Sequence, residues 1–164
     1  LEPHNWVTAW VAITDSNENN GCMRMWSGSH KDNLKDHDQK FNEGNLLTRG
    51  QTVKNVPKDK TTLLVLKAGQ MSLHHPMVVH GSGLNKSNDR RIGFVIQSYI
   101  ATDVKQILGK NSVQLARGVD KFNFHEKIGR PTLLMDKDDL ELKKKENDNL
   151  QEIFYNGSSR KGNY

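Results

Sequence analysis

Three histidines, a glycine-rich turn and two arginines stand close together in the chain, as His74-His75-Pro76 leading to His80-Gly81-Ser82-Gly83-Leu84-Asn85 and then Arg90-Arg91-Ile92-Gly93. An imidazole at a strand end can offer a ring nitrogen to a transition metal. A guanidinium suits a carboxylate, because its planar fork donates two parallel hydrogen bonds. With His80 ending one strand and Arg91 beginning the next, the Gly- and Asn-rich connection reads as the turn of one hairpin, which sets a metal ligand beside an anion anchor on paired antiparallel strands. Strand parity puts Arg91, Gly93 and Val95 on one face, so the small Gly93 leaves room beside a guanidinium that is costly to bury unpaired. A carboxylate ligand would pair it. Each residue also has a plainer explanation: a histidine near a glycine turn is commonly a hydrogen-bonded structural residue, and an arginine at a strand start is commonly a solvated edge charge.

These residues need a scaffold of strands, and the rest of the sequence predicts one. Residues 6–14 alternate, with Val7, Val11 and Ile13 on one side and Trp6, Thr8, Trp10 and Ala12 on a mixed side. Residues 15–21 are dense in Asn, Asp, Ser and Gly and read as a turn into a second strand at 22–26. Residues 27–50 form a long polar connection of the kind that covers an opening. Further short strands are expected at 52–56, 61–67, 70–73, 77–80 and 91–100, the last being the clearest. Many short strands with frequent turns and almost no helical periodicity before residue 101 predict a mainly β sandwich or barrel of the jelly-roll type. The lysine- and glutamate-rich stretch 136–155 predicts one surface helix capped by its N-terminal aspartates. The expected organisation is a β domain over 1–135, a C-terminal helix over 136–156 and a flexible tail over 157–164.

At 164 residues the chain suffices for one domain with a core of its own. No apolar run approaches the roughly 20 residues of a membrane-spanning helix. The net charge of +5 comes from lysines and arginines scattered among 19 acidic residues, with no aromatic-interleaved stripe, so nucleic acid is not an expected partner. The single cysteine, Cys22, cannot form an internal disulfide, and the expected compartment is a reducing cytoplasm. The first residue is Leu1 and no signal-peptide pattern follows, so the chain is expected to begin mid-domain.

Two motifs in order resemble the phytanoyl-CoA dioxygenase family. Val7-Thr8-Ala9-Trp10-Val11-Ala12-Ile13 followed by Asn19-Asn20-Gly21-Cys22 and Gly28-Ser29-His30-Lys31 is similar to its T-A-W strand, E-N-G-C turn and P-G-S-H-K loop. His75-Pro76 through His80-Gly81-Ser82-Gly83 to Asn85, with Arg91 downstream, resembles its H-P-x-x-x-H-G-S-G-x-N pattern. The resemblance implies a cupin-like double-stranded β-helix that holds Fe(II) by two histidines and a carboxylate, leaving three positions for 2-oxoglutarate and dioxygen. It implies oxidation of a small organic substrate coupled to decarboxylation of 2-oxoglutarate to succinate. His80 would be the distal metal histidine and Arg91 would grip the far carboxylate of 2-oxoglutarate. Trp10 would line the cosubstrate pocket, with ordinary core packing as its plainer role, and Ser82 would donate to the same carboxylate.

The sequence departs from the family at Ser27, where the loop motif has proline, and it contains no H-x-D/E motif at the family's position. That motif would fall before Leu1, roughly twenty residues ahead of Trp10, and would supply the other two metal ligands. His30-Lys31-Asp32 spells H-x-D, but it falls in the G-S-H-K loop among Lys35, Asp36 and Asp38 and reads as solvated. His4 is followed by Asn5 and Trp6 and offers no carboxylate. His74 and His75 read as supporting or strand residues beside the site. Without the upstream motif a non-catalytic cupin-like binding module and a 2-oxoglutarate-dependent halogenase stay open beside the hydroxylase. Substrate identity and oligomeric state are not legible.

Overall fold

The computed structural model describes residues 1–32, 34–39, 50–132, 134 and 136–158. Part of the connection expected to cover an opening, residues 40–49, and most of the expected flexible tail, residues 159–164, lie outside the described residues. Among the described residues eight strands occupy the first hundred positions: β1 (Trp6–Ala12), β2 (Met23–Trp26), β3 (His37–Gln39), β4 (Gln51–Val53), β5 (Thr61–Leu63), β6 (Met71–His74), β7 (His80–Ser82) and β8 (Gly93–Ile100). Trp6–Asp38 and Thr52–Ile100 pack as one unit.

Within that unit two antiparallel sheets form, one in the order β6-β1-β8 and the other in the order β5-β2-β7. From β5 onward successive strands change sheet, so the chain winds back and forth between two layers, as a jelly roll does. Trp10 and Ala12 from β1 and Met23 from β2 make the core, with Met25, Leu64 and Leu66 packed against them. The mixed side of β1, with Trp10 and Ala12, therefore faces this core; the other side is covered at Ala9, 2% exposed, and only past the strand's end does Ile13 stand 56% exposed. Residues directly opposite across a ladder share a face. The register Thr8↔His74, Trp10↔Ser72 and Ala12↔Gly93 thus places these six on the inner wall of the first sheet. Met23↔Ser82 and Met25↔His80 do the same for the second.

One expectation is overturned. His80 and Arg91 do not belong to a hairpin, because β7 pairs with β2 while β8 pairs with β1, and residues 83–92 cross from one sheet to the other. Length decides the pairing: the eight residues of β8 match the seven of β1, and the three of β7 could satisfy only a fraction of that ladder. The strand expected at 77–80 also begins at His80, since Pro76 and Met77 turn the chain and Val78 N donates to His75 O at 3.0 Å. The strand expected at 61–67 stops at Leu63; beyond it Leu66 bridges to Ser16.

Residues 1–5 and 101–158 belong to a second unit. Among the described residues it contains a short parallel pair, β9 (Ser112–Val113) and β10 (Glu126–Lys127), and one helix, α1 (Lys137–Phe154). Asp136 caps α1 by accepting from Asp138 N at 3.0 Å and Asp139 N at 3.3 Å, so the helix expected from its aspartates holds to within a residue at each end. No helix among the described residues is long and apolar enough to cross a membrane.

Candidate functional site

Arg91 is half-buried just ahead of β8, and its position follows from Thr14 at the end of the first sheet's central strand. Thr14 Oγ1 donates to Arg90 O at 2.9 Å and accepts from Ile92 N at 2.9 Å, while the amides of Ile13 and Thr14 both donate to Ile92 O. The residues on either side of Arg91 are thereby fastened to β1. Its side chain extends over Trp10, with Cζ 5.7 Å from the ring centroid, and Nη2 donates to Ser82 Oγ at 3.1 Å. Ser82 accepts this bond and keeps its own hydroxyl proton for another acceptor. Among the described residues no carboxylate pairs with Arg91.

Gly93 is small for a different reason from the one its spacing suggests. A Cβ there would fall inside the indole of Trp10, against Cζ2, Cε2 and Nε1, so Gly93 makes room for the ring on which Arg91 rests. Trp10 is a core residue, the plainer role weighed for it, and its ring also lies beneath the guanidinium. The two family motifs also meet. Gly21, at φ +77°, would bring a Cβ to 2.5 Å from Gly83 O, so the E-N-G-C turn and the G-S-G turn approach closely only with glycine between them.

His80 is exposed at the start of β7. Its Nδ1 lies 2.8 Å from Val78 O, and since a carbonyl can only accept, Nδ1 is the donor in this contact and Nε2 is the ring nitrogen that it leaves unengaged. Ser29 fixes this strand start, because its buried hydroxyl donates to Trp26 O at 2.8 Å and accepts from Val79 N at 2.9 Å. The His74 ring is 5.3 Å from that of His80, and burial, with the adjacent His80 as a smaller cause, pushes its pKa below the ordinary value. Ser72 Oγ and His74 Nδ1 are buried without a hydrogen-bond partner among the described residues. Cys22 is buried, and burial pushes its thiol up, away from reactivity.

The residues set aside in the sequence lie elsewhere. His30 sits on a short 3-10 turn with its ring 5.3 Å from His75, whose Nδ1 accepts from Met77 N at 3.2 Å. Asp32 turns to Lys35, 2.7 Å away, which holds its carboxyl below the usual range. Among the described residues no group of three His, Cys, Asp or Glu side chains comes together to hold a metal. Sequence reasoning singled out Arg91, Ser82, Trp10 and His80 but gave no role to Thr14 or Ser29, whose hydroxyls act on the backbone of neighbours far away in sequence. A lone Thr or Ser at a strand end carries no signal of that.

The donors fit two groups to different degrees. A guanidinium on an aromatic plate, with a serine hydroxyl beside it and no acidic partner, fits a carboxylate. His80 fits one bond to a metal, and the described residues offer no second.

The model of the phytanoyl-CoA dioxygenase (PhyH) family matches residues 1–93. The peroxisomal phytanoyl-CoA dioxygenase of Homo sapiens is 35% identical over 86 residues, 52% of this chain and 25% of that protein. A probable alpha-ketoglutarate-dependent hypophosphite dioxygenase of Stutzerimonas stutzeri is 31% identical over 113 residues, covering 65% of this chain and 39% of that protein. Among solved structures, the apo form of the non-heme monooxygenase ThoJ superposes with a TM-score of 0.78 at 27% identity, over 92% of this chain and 54% of that one. The chain therefore spans between a quarter and about half of the length of these relatives. The double-stranded β-helix expected from the resemblance stands. On the family model's match to more than half of its residues, the chain belongs to the phytanoyl-CoA dioxygenase family.

Proposed function

We propose that the chain is part of an Fe(II)- and 2-oxoglutarate-dependent dioxygenase that hydroxylates a small organic molecule, with residues 1–135 contributing to one oxygenase domain and 136–156 a helix appended to it. The observation that carries the reading is Arg91, laid over Trp10, bonded to Ser82 and without an acidic partner among the described residues. Iron with 2-oxoglutarate and dioxygen supplies an oxidant able to break a C–H bond.

This chain's residues would bind and orient. Arg91 takes the far carboxylate of 2-oxoglutarate by two parallel hydrogen bonds, and Ser82 adds its hydroxyl proton to the same group. Trp10 gives the carbon chain a flat wall and keeps water from the guanidinium. His80, with Nδ1 committed to Val78 O, turns Nε2 to the metal. Two further metal ligands are required beyond the described residues, and the H-x-D or H-x-E pair of the family would provide them.

Succinate release from 2-oxoglutarate by the full-length protein, with Fe(II) and dioxygen, tests the reading. The expected result is slow release without any added substrate, abolished in His80→Ala. Binding of 2-oxoglutarate with no succinate formed under any condition would instead favour a binding module.

A further inference from the structure

The short strand β6 is patterned inside out. Its outward residues, Met71 and Leu73, are apolar and 55% and 63% exposed, whereas its inward residues, Ser72 and His74, are polar and buried at 7% and 8% exposure. Both inward side chains leave a buried polar atom, Ser72 Oγ and His74 Nδ1, without a partner among the described residues. Two such atoms on one strand weaken a fold unless something outside the described residues satisfies them. Residues two apart on a strand point the same way and stand about 6–7 Å apart. Here that way is the inner wall, where Ser72 lies opposite Trp10 and His74 opposite Thr8.

His74 also stands where one end of the bound cosubstrate would lie. Its ring is 5.3 Å from that of His80, and the far carboxylate is taken by Arg91 above Trp10. An extended diacid running from Arg91 toward a metal on His80 ends in a keto acid beside His74. We propose that His74, supported by Ser72, hydrogen-bonds the carboxylate of 2-oxoglutarate adjacent to its keto group, at the end opposite the one gripped by Arg91. This rests on Arg91 as the cosubstrate anchor. A ring N–H facing a carboxylate forms a charge-assisted bond, and it would fix which way the keto acid turns at the metal.

The test is an anaerobic titration of the full-length Fe(II)-loaded protein with 2-oxoglutarate, read by calorimetry and by the metal-to-ligand charge-transfer absorption of the bound keto acid. His74→Phe and Ser72→Val fill the same space without a donor, and His74→Gln keeps one. His74→Phe is expected to raise the dissociation constant roughly tenfold and to shift the absorption, Ser72→Val to raise it roughly threefold, and His74→Gln to restore most of the affinity. Unchanged affinity and absorption in a folded His74→Phe protein overturn the proposal. Arg91→Leu in the same titration separates the two levels. Weak binding by Arg91→Leu with no effect of His74→Phe leaves the anchor standing and removes only the His74 contact, whereas full affinity in Arg91→Leu removes both.

Discussion

Arg91 lies over the indole of Trp10, 5.7 Å from the ring centroid, and the indole lies in the space that a side chain at position 93 would fill. The placement of Arg91 thus depends on Gly93, and the proposed anchor depends on it in turn. Gly93→Ala should push Trp10 aside and cost about 1–3 kcal/mol of stability as overpacking. It should also weaken 2-oxoglutarate binding. Denaturant unfolding and titration together check this, and wild-type values for both would mean that the indole shifts without consequence.

Thr14 predicts a separable effect. Thr14→Val deletes the bonds to Arg90 O and from Ile92 N, each worth about 1 kcal/mol, and frees the backbone around Arg91. Thr14→Ser keeps both. Affinity for 2-oxoglutarate should fall several-fold in the valine variant and stay near wild type in the serine variant. Equal affinities in the two would show that Arg91 needs no such fastening.

His80→Ala should remove stoichiometric Fe(II) binding in the full-length protein, because loss of one of three protein ligands leaves the metal poorly held. His30→Ala should not, since His30 pairs with His75 and Asp32 with Lys35. Metal content after gel filtration decides between them. Exchanged phenotypes would make His30-Lys31-Asp32 the metal motif.

In the second unit, Asp120 accepts from Lys127 Nζ at 2.8 Å and from the amides of Asn123 and Phe122, which hold its carboxyl at about 2. The folded value lies below the ordinary 3.8, so the stabilisation is present above that value and is lost as pH falls toward about 2. Asp120→Asn should flatten the acid limb of the stability curve between these values. A variant with the wild-type acid limb would assign it to other carboxylates.

β1, β2, β8 and the helix were legible because alternation, turn residues and the Asp136 cap are local signals, whereas β3, β9 and β10, of two or three residues each, were not expected. The pairing of β7 and β8 was not, since a polar connection of ten residues with Gly83, Asn85 and Asn88 reads equally as a hairpin or as a crossing between sheets. The choice rests on the match of β8 to β1, some eighty residues away. The same distance hid Thr14 and the true purpose of Gly93. Arg91, Trp10, Ser82 and His80 were legible as motif residues and His74 as a supporting or strand residue beside them, and what the sequence lacked was the inner wall of β6, on which nothing singled out Ser72.

The most direct measurement is an anaerobic titration of 2-oxoglutarate into full-length Arg91→Leu protein beside wild type. Losing a guanidinium that pairs with a buried carboxylate should weaken binding by about 2–5 kcal/mol, from roughly thirtyfold to several thousandfold. An unchanged dissociation constant in a folded variant would contradict the account and move the anchor elsewhere, with Arg90 next to be tested.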